Sequence, residues 1–368
     1  MSSPIPVKEG FDRPDKASTF LSFVRSEFHR RGTPRRLELS KKINSHPFVE
    51  RQGMRVASPI GELSSFKNVD WDSLPPRFVL KYAHGWSTRG VMLLERQRDL
   101  YFDHLSLRTY TLDGLTQEQE RVAGTFAPAP AEWIVEEFVE PTVRVGPIPF
   151  DYKFYCFNGV VGLIGQYDRN ANPPKVAVFN GEFQPLRHGR DYLRNPAKLQ
   201  RAVPLVPLHA GEMLWWASHL SRQVDAPFVS VDLYDSPEGP VFGEFTYSPG
   251  ATYRRMLVFA DELIGRFDEY MSGHGTQPPV ADLSLAQLRA LPNVDGALYD
   301  RLASYTYNSG SRGADRLCEA YSSLRSASLP ELQRNWLSGL AENWQSVAHE
   351  VRQHLRAQGA AVPTGRPE

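Results

Sequence analysis

Two acids near the middle of the chain have the spacing of a paired carboxylate site. Asp232 lies in Phe228-Val-Ser-Val-Asp-Leu-Tyr, and Glu244 follows in Val241-Phe-Gly-Glu-Phe. Two short strands joined by a turn at 235–239 would place these acids opposite each other across a hairpin. Like charges are unfavourable there unless a hard cation such as Mg²⁺ lies between them. Solvent exposure of one or both acids is the alternative explanation.

A lysine within an apolar strand marks a second candidate site. The run Phe78-Val-Leu-Lys81-Tyr-Ala-His-Gly85 begins as a strand, and a polar turn through Gly90 leads into another apolar strand. A buried lysine is costly unless it meets a negative charge, and small polar residues beside it can direct backbone N–H groups at phosphate. The pattern suggests nucleotide binding, but a lysine at a strand edge whose ammonium group reaches solvent would produce the same sequence pattern. The segment is not a Walker loop, because the lysine precedes the glycines.

A third segment combines a strand that ends in acids with a charged strand after it. Trp133-Ile-Val-Glu-Glu-Phe-Val-Glu140 can offer backbone groups to an adenine edge and carboxylates to ribose hydroxyls. In the next strand, which begins near Phe150, Asp151 and Lys153 are two residues apart and share one face. A solvated sheet face is the commoner origin of such charges.

The composition limits the class of protein that these segments can belong to. The 368 residues include 42 Lys plus Arg and 42 Asp plus Glu, so there is no global charge to favour nucleic acid or a membrane surface. The cysteines, Cys156 and Cys318, are too few for a disulfide framework or a cysteine zinc site. No apolar run approaches the roughly 18 residues of a membrane span, and the first residues lack an export signal. We therefore expect a cytoplasmic protein without nucleic-acid binding or membrane insertion.

The secondary-structure pattern changes twice along the chain. Residues 1–74 form an N-terminal helical or α+β segment. Residues 75–275 alternate short β-rich runs with helical segments near 205–224 and 253–272, which predicts an α+β core with antiparallel sheets and lobes of about 75–139 and 140–275. Residues 280–358 are predicted to be a helical region, and the apolar residues from Leu332 to Leu355 recur at helical spacing that predicts a continuous apolar face.

Three local patterns make these predictions more specific. In the N-terminal segment, the spacing of Phe20, Val24 and Phe28 puts all three on one helical stripe. In the core, Asn158-Gly159 and Asn180-Gly181 both predict tight hairpin turns, because these residue pairs adopt positive φ readily.

In their order along the chain, these segments resemble the ATP-grasp superfamily, and within it the TupA-like branch named after teichuronopeptide biosynthesis. The resemblance runs from about Lys41 to Tyr270 and depends on five motifs. They are Leu74-Pro-Pro-Arg-Phe-Val-Leu-Lys-Tyr-Ala-His-Gly, Val135-Glu-Glu-Phe, Asp151-Tyr-Lys-Phe-Tyr-Cys-Phe-Asn-Gly, Phe228-Val-Ser-Val-Asp-Leu-Tyr and Phe242-Gly-Glu-Phe-Thr-Tyr-Ser-Pro-Gly. The resemblance implies two α+β lobes that grip ATP between sheets, with a C-terminal helical appendage.

The resemblance also implies roles for particular residues. ATP would contact the lysines Lys42 and Lys81, the mobile loop, the adenine-reading hinge, and the ribose acid with its neighbouring lysine. The loop comprises His84, Gly85, Ser87, Thr88 and Gly90, the hinge comprises Glu136, Glu137, Phe138 and Val139, and the ribose acid and lysine are Asp151 and Lys153. The implied Mg²⁺ ligands are Asp232, Glu244 and Thr246, and the implied catalytic cations are Lys81, Lys153, Arg89, Arg254 and Arg255.

The chain departs from the family pattern at several of these positions. Ser230 and Thr246 stand where the family commonly has arginine and asparagine. Trp86 and Arg89 replace glycines of the loop, and Arg89 is a candidate substitute for the missing arginine. Near the first lysine, Lys41 and His46 stand where an acid and an arginine are usual. These departures leave open a specialised or degenerate enzyme.

Three functions follow from the resemblance. The first is an ATP-dependent ligase that joins a carboxylate to an amine through an acyl phosphate, with amino-acid or sugar-acid substrates in a polymer or specialised-metabolite pathway. The second is a kinase that uses the same site and stops after phosphoryl transfer. The third is a nucleotide-binding scaffold without ligase activity, with the C-terminal helices as its working part. Those helices are also the candidate surface for a homodimer.

Overall fold

A computed structural model describes residues 17–276 except 64, 67–68, 86–88, 143–145, 184–185 and 203. Its helices are α1 (Thr19–Phe28), α2 (Pro34–Leu39), α3 (Lys42–Glu50), α4 (Leu112–Gly124), α5 (Ala210–Gln223), α6 (Gly250–Tyr253) and α7 (Asp261–Met271). Its strands are β1 (Pro59–Leu63), β2 (Arg77–Tyr82), β3 (Val91–Gln97), β4 (Leu100–Asp103), β5 (Arg108–Thr111), β6 (Trp133–Glu137), β7 (Asp151–Phe157), β8 (Val160–Asp168), β9 (Lys175–Asn180), β10 (Tyr192–Arg194), β11 (Gln200–Arg201), β12 (Val229–Ser236), β13 (Gly239–Thr246) and β14 (Leu257–Phe259).

The first sheet has the strand order β1-β6-β2-β3-β4-β5, and its neighbouring strands are antiparallel. Alternate residues of β2 and β6, including Phe78, Leu80 and Val135, point into an apolar core. The residues between them face the other side of the sheet. Lys81 pairs with Ile134 in this register, so Lys81 and Glu136 are neighbours on the face away from the core.

The second sheet has the order β11-β9-β8-β7-β12-β13 and is antiparallel except for the short β9–β11 pair. Helix α5 covers one face, where Trp215 and Trp216 are buried. Helices α1 and α7 cover part of the opposite face through Phe20 and Phe267. The remainder of that face carries the charged residues described below.

The antiparallel α+β architecture confirms the fold predicted from the sequence, and the turn at Asn158-Gly159 is as predicted. Asn158 and Gly159 have φ values of 47° and 96° and connect β7 to β8. At Asn180-Gly181 the chain turns as predicted, and the Leu186 N–H donates to the Val178 carbonyl oxygen of β9 at 2.8 Å, but the described residues directly after the turn do not form a strand of this sheet. Instead, β9 pairs with β8 and β11.

The predicted stripe on α1 is only partly buried. Phe20 and Val24 are buried, but Phe28 is 42% exposed, and its ring stacks on Tyr253 at 3.5 Å between centroids. Glu27 takes the buried position near the end of the helix, where an ion pair with Arg36 of 2.8 Å compensates its charge.

The predicted helical region 280–358 and the homodimer surface on it lie outside the described residues. Among the helices that the structure describes, none combines the length and apolar character needed to cross a bilayer. Residues of the N-terminal segment contribute to both sheets, because β1 pairs with β6 and α3 packs against β13.

We expect Phe20→Ala to destabilise the fold by about 3–5 kcal/mol, because it removes a fully buried aromatic side chain. The ring of Phe20 contacts four others, those of Tyr155, Phe157, Phe228 and Phe267. The matched control is Phe28→Ala on the same helix, which should cost no more than about 1.5 kcal/mol because its ring is partly exposed. Urea unfolding of both variants measures the difference, and equal losses would contradict this assignment of the core.

Candidate functional site

The face of the second sheet opposite α5 changes from apolar to charged along its strands. On β7, Phe157 and Tyr155 face α1, whereas Lys153 and Asp151 continue the same row toward the start of the strand. On the antiparallel neighbour β12, Ser230 and Asp232 make the same transition in the opposite chain direction. The alternation of each strand therefore gathers the charges at one end of the sheet, next to the β6 side of the first sheet.

The two predicted metal acids face each other because a β-bulge between Asp232 and Leu233 shifts the register of the hairpin by one residue. Asp232 pairs with Glu244 across β12 and β13, and it pairs with Lys153 on its other side. Lys153 forms ion pairs with Asp232 and with Asp151, the latter at 3.1 Å. The Ser230 hydroxyl donates to Asp232 Oδ1 at 2.8 Å. The residue at the usual arginine position thus supports the acid without adding charge.

The first sheet and α3 contribute a second group of charges to the same region. Lys81 forms an ion pair with Glu136, whose side chain is buried. Lys42 at the start of α3 interacts with Glu136 from the first sheet and with Glu244 from the second. Lys42 and Lys81 also interact with each other. The two predicted lysines and the two predicted acids therefore converge where the sheets meet.

Burial and mutual repulsion set the protonation of this group. Burial and the Lys42 ammonium lower the pKa of Lys81 to about 8, although Glu136 acts in the opposite direction. Burial also opposes the charge on Lys42, but Glu136 and Glu244 outweigh it and raise the pKa of Lys42. Burial lowers the pKa of His46, one turn after Lys42, to about 4. His46 is therefore neutral at physiological pH.

The acid pair fits a hard divalent cation. Burial and the neighbouring acids Asp151 and Glu244 raise the pKa of Asp232 to about 8, despite the ion pair with Lys153. Additional positive charge beside Asp232 would therefore be favourable. The Thr246 hydroxyl lies 3.4 Å from Glu244 Oε1, so all three predicted ligands share one face. Magnesium commonly takes one or two carboxylates and completes its shell with phosphate and water oxygens, which matches this donor set.

Residues of the predicted hinge have different surroundings. Glu136 faces the lysines, so its carboxylate is occupied by charge compensation. Glu137 is half-buried and forms a 3.0 Å ion pair with Arg55, which also reaches Glu238 of the second sheet. The predicted adenine contacts Phe138 and Val139 follow directly after β6 and are both buried.

The predicted mobile loop is described only in part. Ser87 and Thr88 lie outside the described residues. A Cβ atom on Gly85 would approach the Arg89 carbonyl oxygen to 2.3 Å, so the two ends of the loop are close. The His84 ring nitrogen lies 3.0 Å from Glu132, and Gly90 has a φ of 77°. Arg89 is exposed, and no hydrogen bond or ion pair within the described ranges joins it to Ser230 or Asp232.

The two arginines predicted to hold a substrate are Arg254 and Arg255. They follow α6, whose Thr252 hydroxyl is 3.0 Å from the Tyr155 hydroxyl at the border between apolar and charged residues. Arg254 is exposed, and Arg255 is partly buried with a φ of 52°. Their role in substrate binding stays a prediction.

Sequence reasoning missed Arg169, which lies just beyond the end of β8. Its Nη2 donates to Asp151 Oδ2 at 3.0 Å. Burial alone would lower the pKa of Arg169, but the Asp151 carboxylate outweighs burial and raises it. The alternation of β8 is the available signal, because Tyr167 faces the site and Arg169 is two residues further on. Tyr234, two residues after Asp232, was also missed, although it interacts with Asp151 and Lys42.

Comparisons with known proteins show the family and the fold. A model of the TupA-like ATP-grasp family matches residues 24–269, which is more than half of the chain. The chain therefore belongs to the TupA-like ATP-grasp family, and its fold is the ATP-grasp fold. A search among curated proteins found no match.

Solved structures with a similar chain path are ATP-grasp ligases of low sequence identity. The ligase PsnB with a minimal precursor is 11% identical, with 68% of this chain and 66% of that chain covered and a TM-score of 0.38. The D-alanine–D-alanine ligase of Bacillus anthracis with ATP is 14% identical, with 68% of each chain covered and a TM-score of 0.37. The VanG D-Ala:D-Ser ligase of Enterococcus faecalis is 14% identical, with 64% and 62% covered and a TM-score of 0.39. The chain thus spans about two thirds of the length of these structures.

We expect MgATP binding to take up as much as one proton near pH 9. The pKa of Lys81 is about 8 in the free site, and phosphate favours the charged lysine, so binding raises this pKa. By linkage, the affinity for ATP in the absence of divalent ions, where ionisation of Asp232 for metal binding does not contribute, should fall about tenfold between pH 7 and pH 9. Calorimetry in two buffers with different ionisation enthalpies measures the uptake.

Lys81→Met provides the control for this prediction. The variant should bind MgATP more weakly at pH 7 and lose the proton uptake at pH 9. Unchanged nucleotide affinity in Lys81→Met would show that this lysine does not contact phosphate.

Proposed function

We propose that the protein is an ATP-dependent, ADP-forming ligase that joins a carboxylate to an amine through an acyl phosphate. The observation that carries this proposal is the meeting of Lys42 and Lys81 with the facing acids Asp232 and Glu244. Cations beside a pair of metal-binding acids suit the transfer of a phosphoryl group between two anions. Family membership supports the same class of chemistry.

In this proposal ATP lies between the two sheets. The backbone from Glu137 to Val139 reads adenine, and Asp151 accepts hydrogen bonds from ribose. Asp151 Oδ1 is buried and has no hydrogen-bond partner within the described residues, so it offers a free acceptor for a hydroxyl. Lys42 and Lys81 contact the phosphates, with neutral His46 beside them.

The reaction needs positioning and charge compensation. A carboxylate oxygen of the acid substrate attacks the γ-phosphorus, the bond to the β-phosphate oxygen breaks, and ADP leaves. The amine then attacks the acyl carbon, and inorganic phosphate leaves. Lys42, Lys81 and Lys153 stabilise the negative charge that accumulates on the phosphate oxygens. The predicted loop from His84 to Gly90 excludes water from the acyl phosphate.

No side-chain nucleophile takes part in this scheme. Burial raises the pKa of the Cys156 thiol, and this residue faces the core on the opposite side of the sheet from Lys153. The Ser230 hydroxyl is fully buried and donates to Asp232, so it is not accessible for attack on a substrate.

Asp232, Glu244 and Thr246 are the residues that would hold Mg²⁺. When bound, the ion would supply positive charge to the phosphate oxygens. Asp232 Oδ2 and Oδ1 accept from Lys153 and Ser230, and because a carboxylate oxygen has two lone pairs, either oxygen could also coordinate the ion.

Hydroxamate formation tests the ligase proposal. We expect ADP release and a hydroxamate when MgATP, hydroxylamine and one member of a panel of amino acids and sugar acids are present. Asp232→Asn should lower this activity by at least about 10²-fold, because it removes a charge from the proposed metal site. Arg121→Ala is the control, since its ion pair with Glu118 lies on the exposed side of α4.

Two outcomes would overturn the ligase proposal. If no acid of the panel gives a hydroxamate while calorimetry confirms MgATP binding, the protein does not activate these acids. The hypothesis of a nucleotide-binding scaffold then gains support. If a stable phosphorylated product accumulates without any amine, the protein is a kinase.

A further inference from the structure

Lys153 neutralises two acids at once. Its ammonium nitrogen is 3.1 Å from Asp151 Oδ2 and also forms an ion pair with Asp232. Asp151 has a second cationic partner, because Arg169 donates to the same oxygen at 3.0 Å. Among the described residues, no ion pair joins Asp232 to a second cation, so Lys153 is shared between an acid that has another cation and an acid that has none in this part of the chain.

The contact with Asp232 places the ammonium beside the proposed metal site. Asp232 Oδ2 accepts from Lys153, while Oδ1 accepts from Ser230. A divalent ion between Asp232 and Glu244 would lie close to this ammonium, and like charges at such short range repel strongly. The lysine is 16% exposed in its side chain, so little water is available to screen that repulsion.

The same lysine can also attract phosphate. An ammonium group has three donors, and the two acids use two of them. If the contact with Asp232 breaks, Asp151 still holds the side chain, and two donors become available for an anion. Arg169 keeps Asp151 in place during such a change.

We propose that Lys153 occupies two positions and thereby makes metal binding depend on nucleotide. Without nucleotide, Lys153 stays on Asp232 and disfavours a divalent ion there. With nucleotide, Lys153 remains on Asp151 and turns to the phosphate, and Asp232 becomes free for the metal. The identity of the nucleotide rests on the proposed function, whereas the competition at Asp232 depends only on this chain's residues.

Binding of Mn²⁺ alone tests the competition without any substrate. Mn²⁺ takes the same oxygen ligands as Mg²⁺ and is measured by electron paramagnetic resonance. In the absence of nucleotide, Lys153→Met should bind Mn²⁺ at least about tenfold more tightly than the unmodified protein, because the competing charge is gone. Lys153→Arg keeps a cation and should bind Mn²⁺ no more tightly than the unmodified protein. Lys198→Met, an exposed lysine of the same lobe, is the control and should change nothing.

A second variant locates the ion. Asp232→Asn in the Lys153→Met background should abolish the additional Mn²⁺ affinity. Persistence of that affinity in the double variant would place the ion elsewhere and overturn the proposal. Unchanged or weaker Mn²⁺ binding by Lys153→Met, with a thermal unfolding curve that shows a folded protein, would overturn it as well.

ADP distinguishes a failure of this inference from a failure of the proposed function. In the unmodified protein, saturating ADP should tighten Mn²⁺ binding at least about tenfold, and Lys153→Met should lose most of that enhancement. If ADP does not bind the unmodified protein, the proposed function fails, while the Mn²⁺ result without nucleotide still decides the competition. If ADP enhances Mn²⁺ binding equally in both proteins, the coupling through Lys153 is wrong.

Discussion

Compensation of buried charge is the constraint on which this site depends. Four cations and four carboxylates lie where the two sheets meet, namely Lys42, Lys81, Lys153, Arg169, Glu136, Asp151, Asp232 and Glu244. An isolated charge of this kind would be costly to remove from water, so each must have a partner of opposite sign. The partners alternate along the site, from Arg169 to Asp151, Lys153 and Asp232. Such an arrangement binds a ligand by exchanging partners, since a polyanion and a cation can replace existing contacts without leaving a charge unpaired.

The fold supplies these charges from three separate parts of the chain. Helix α3 provides Lys42, and the first sheet provides Lys81 and Glu136. The second sheet, with the residue just after β8, provides Lys153, Arg169 and the remaining acids. Arg55 connects the two sheets through Glu137 and Glu238, and Val56 forms a bridge to Phe242 of β13. The short segment between α3 and β1 therefore lies against both lobes. A change in this segment would alter the spacing of the lysines and acids without touching any of them.

The sequence predicted the parts of the site that depend on local pattern. Two strands and a short turn predicted that Asp232 and Glu244 lie close together across a hairpin, but their direct pairing also depends on the β-bulge between Asp232 and Leu233, which strand alternation does not predict. The resemblance added Lys42, whose place beside Glu136 depends on contacts between distant segments. Local sequence pattern could not predict which residue pairs with each charged side chain. The sequence around Glu136 does not show that its carboxylate faces Lys81, because that contact requires the pairing of β2 with β6. Arg169 was missed because its role depends on the end of β8 lying beside the start of β7.

Two neutral groups stand where the family resemblance expects arginine, and the structure gives each a physical reason. Burial beside two lysines keeps His46 neutral, because a third cation there would add to the repulsion that already lowers the pKa of Lys81. Ser230 donates its hydroxyl hydrogen to Asp232, and Lys153 compensates the charge of that acid. An arginine at position 230 would compete with Lys153 for the Asp232 carboxylate. Lys153 would then be paired only with Asp151, which Arg169 already neutralises. The neutral serine and the shared lysine are therefore consistent with each other, and the absence of an arginine at 230 is no reason by itself to regard the site as degenerate.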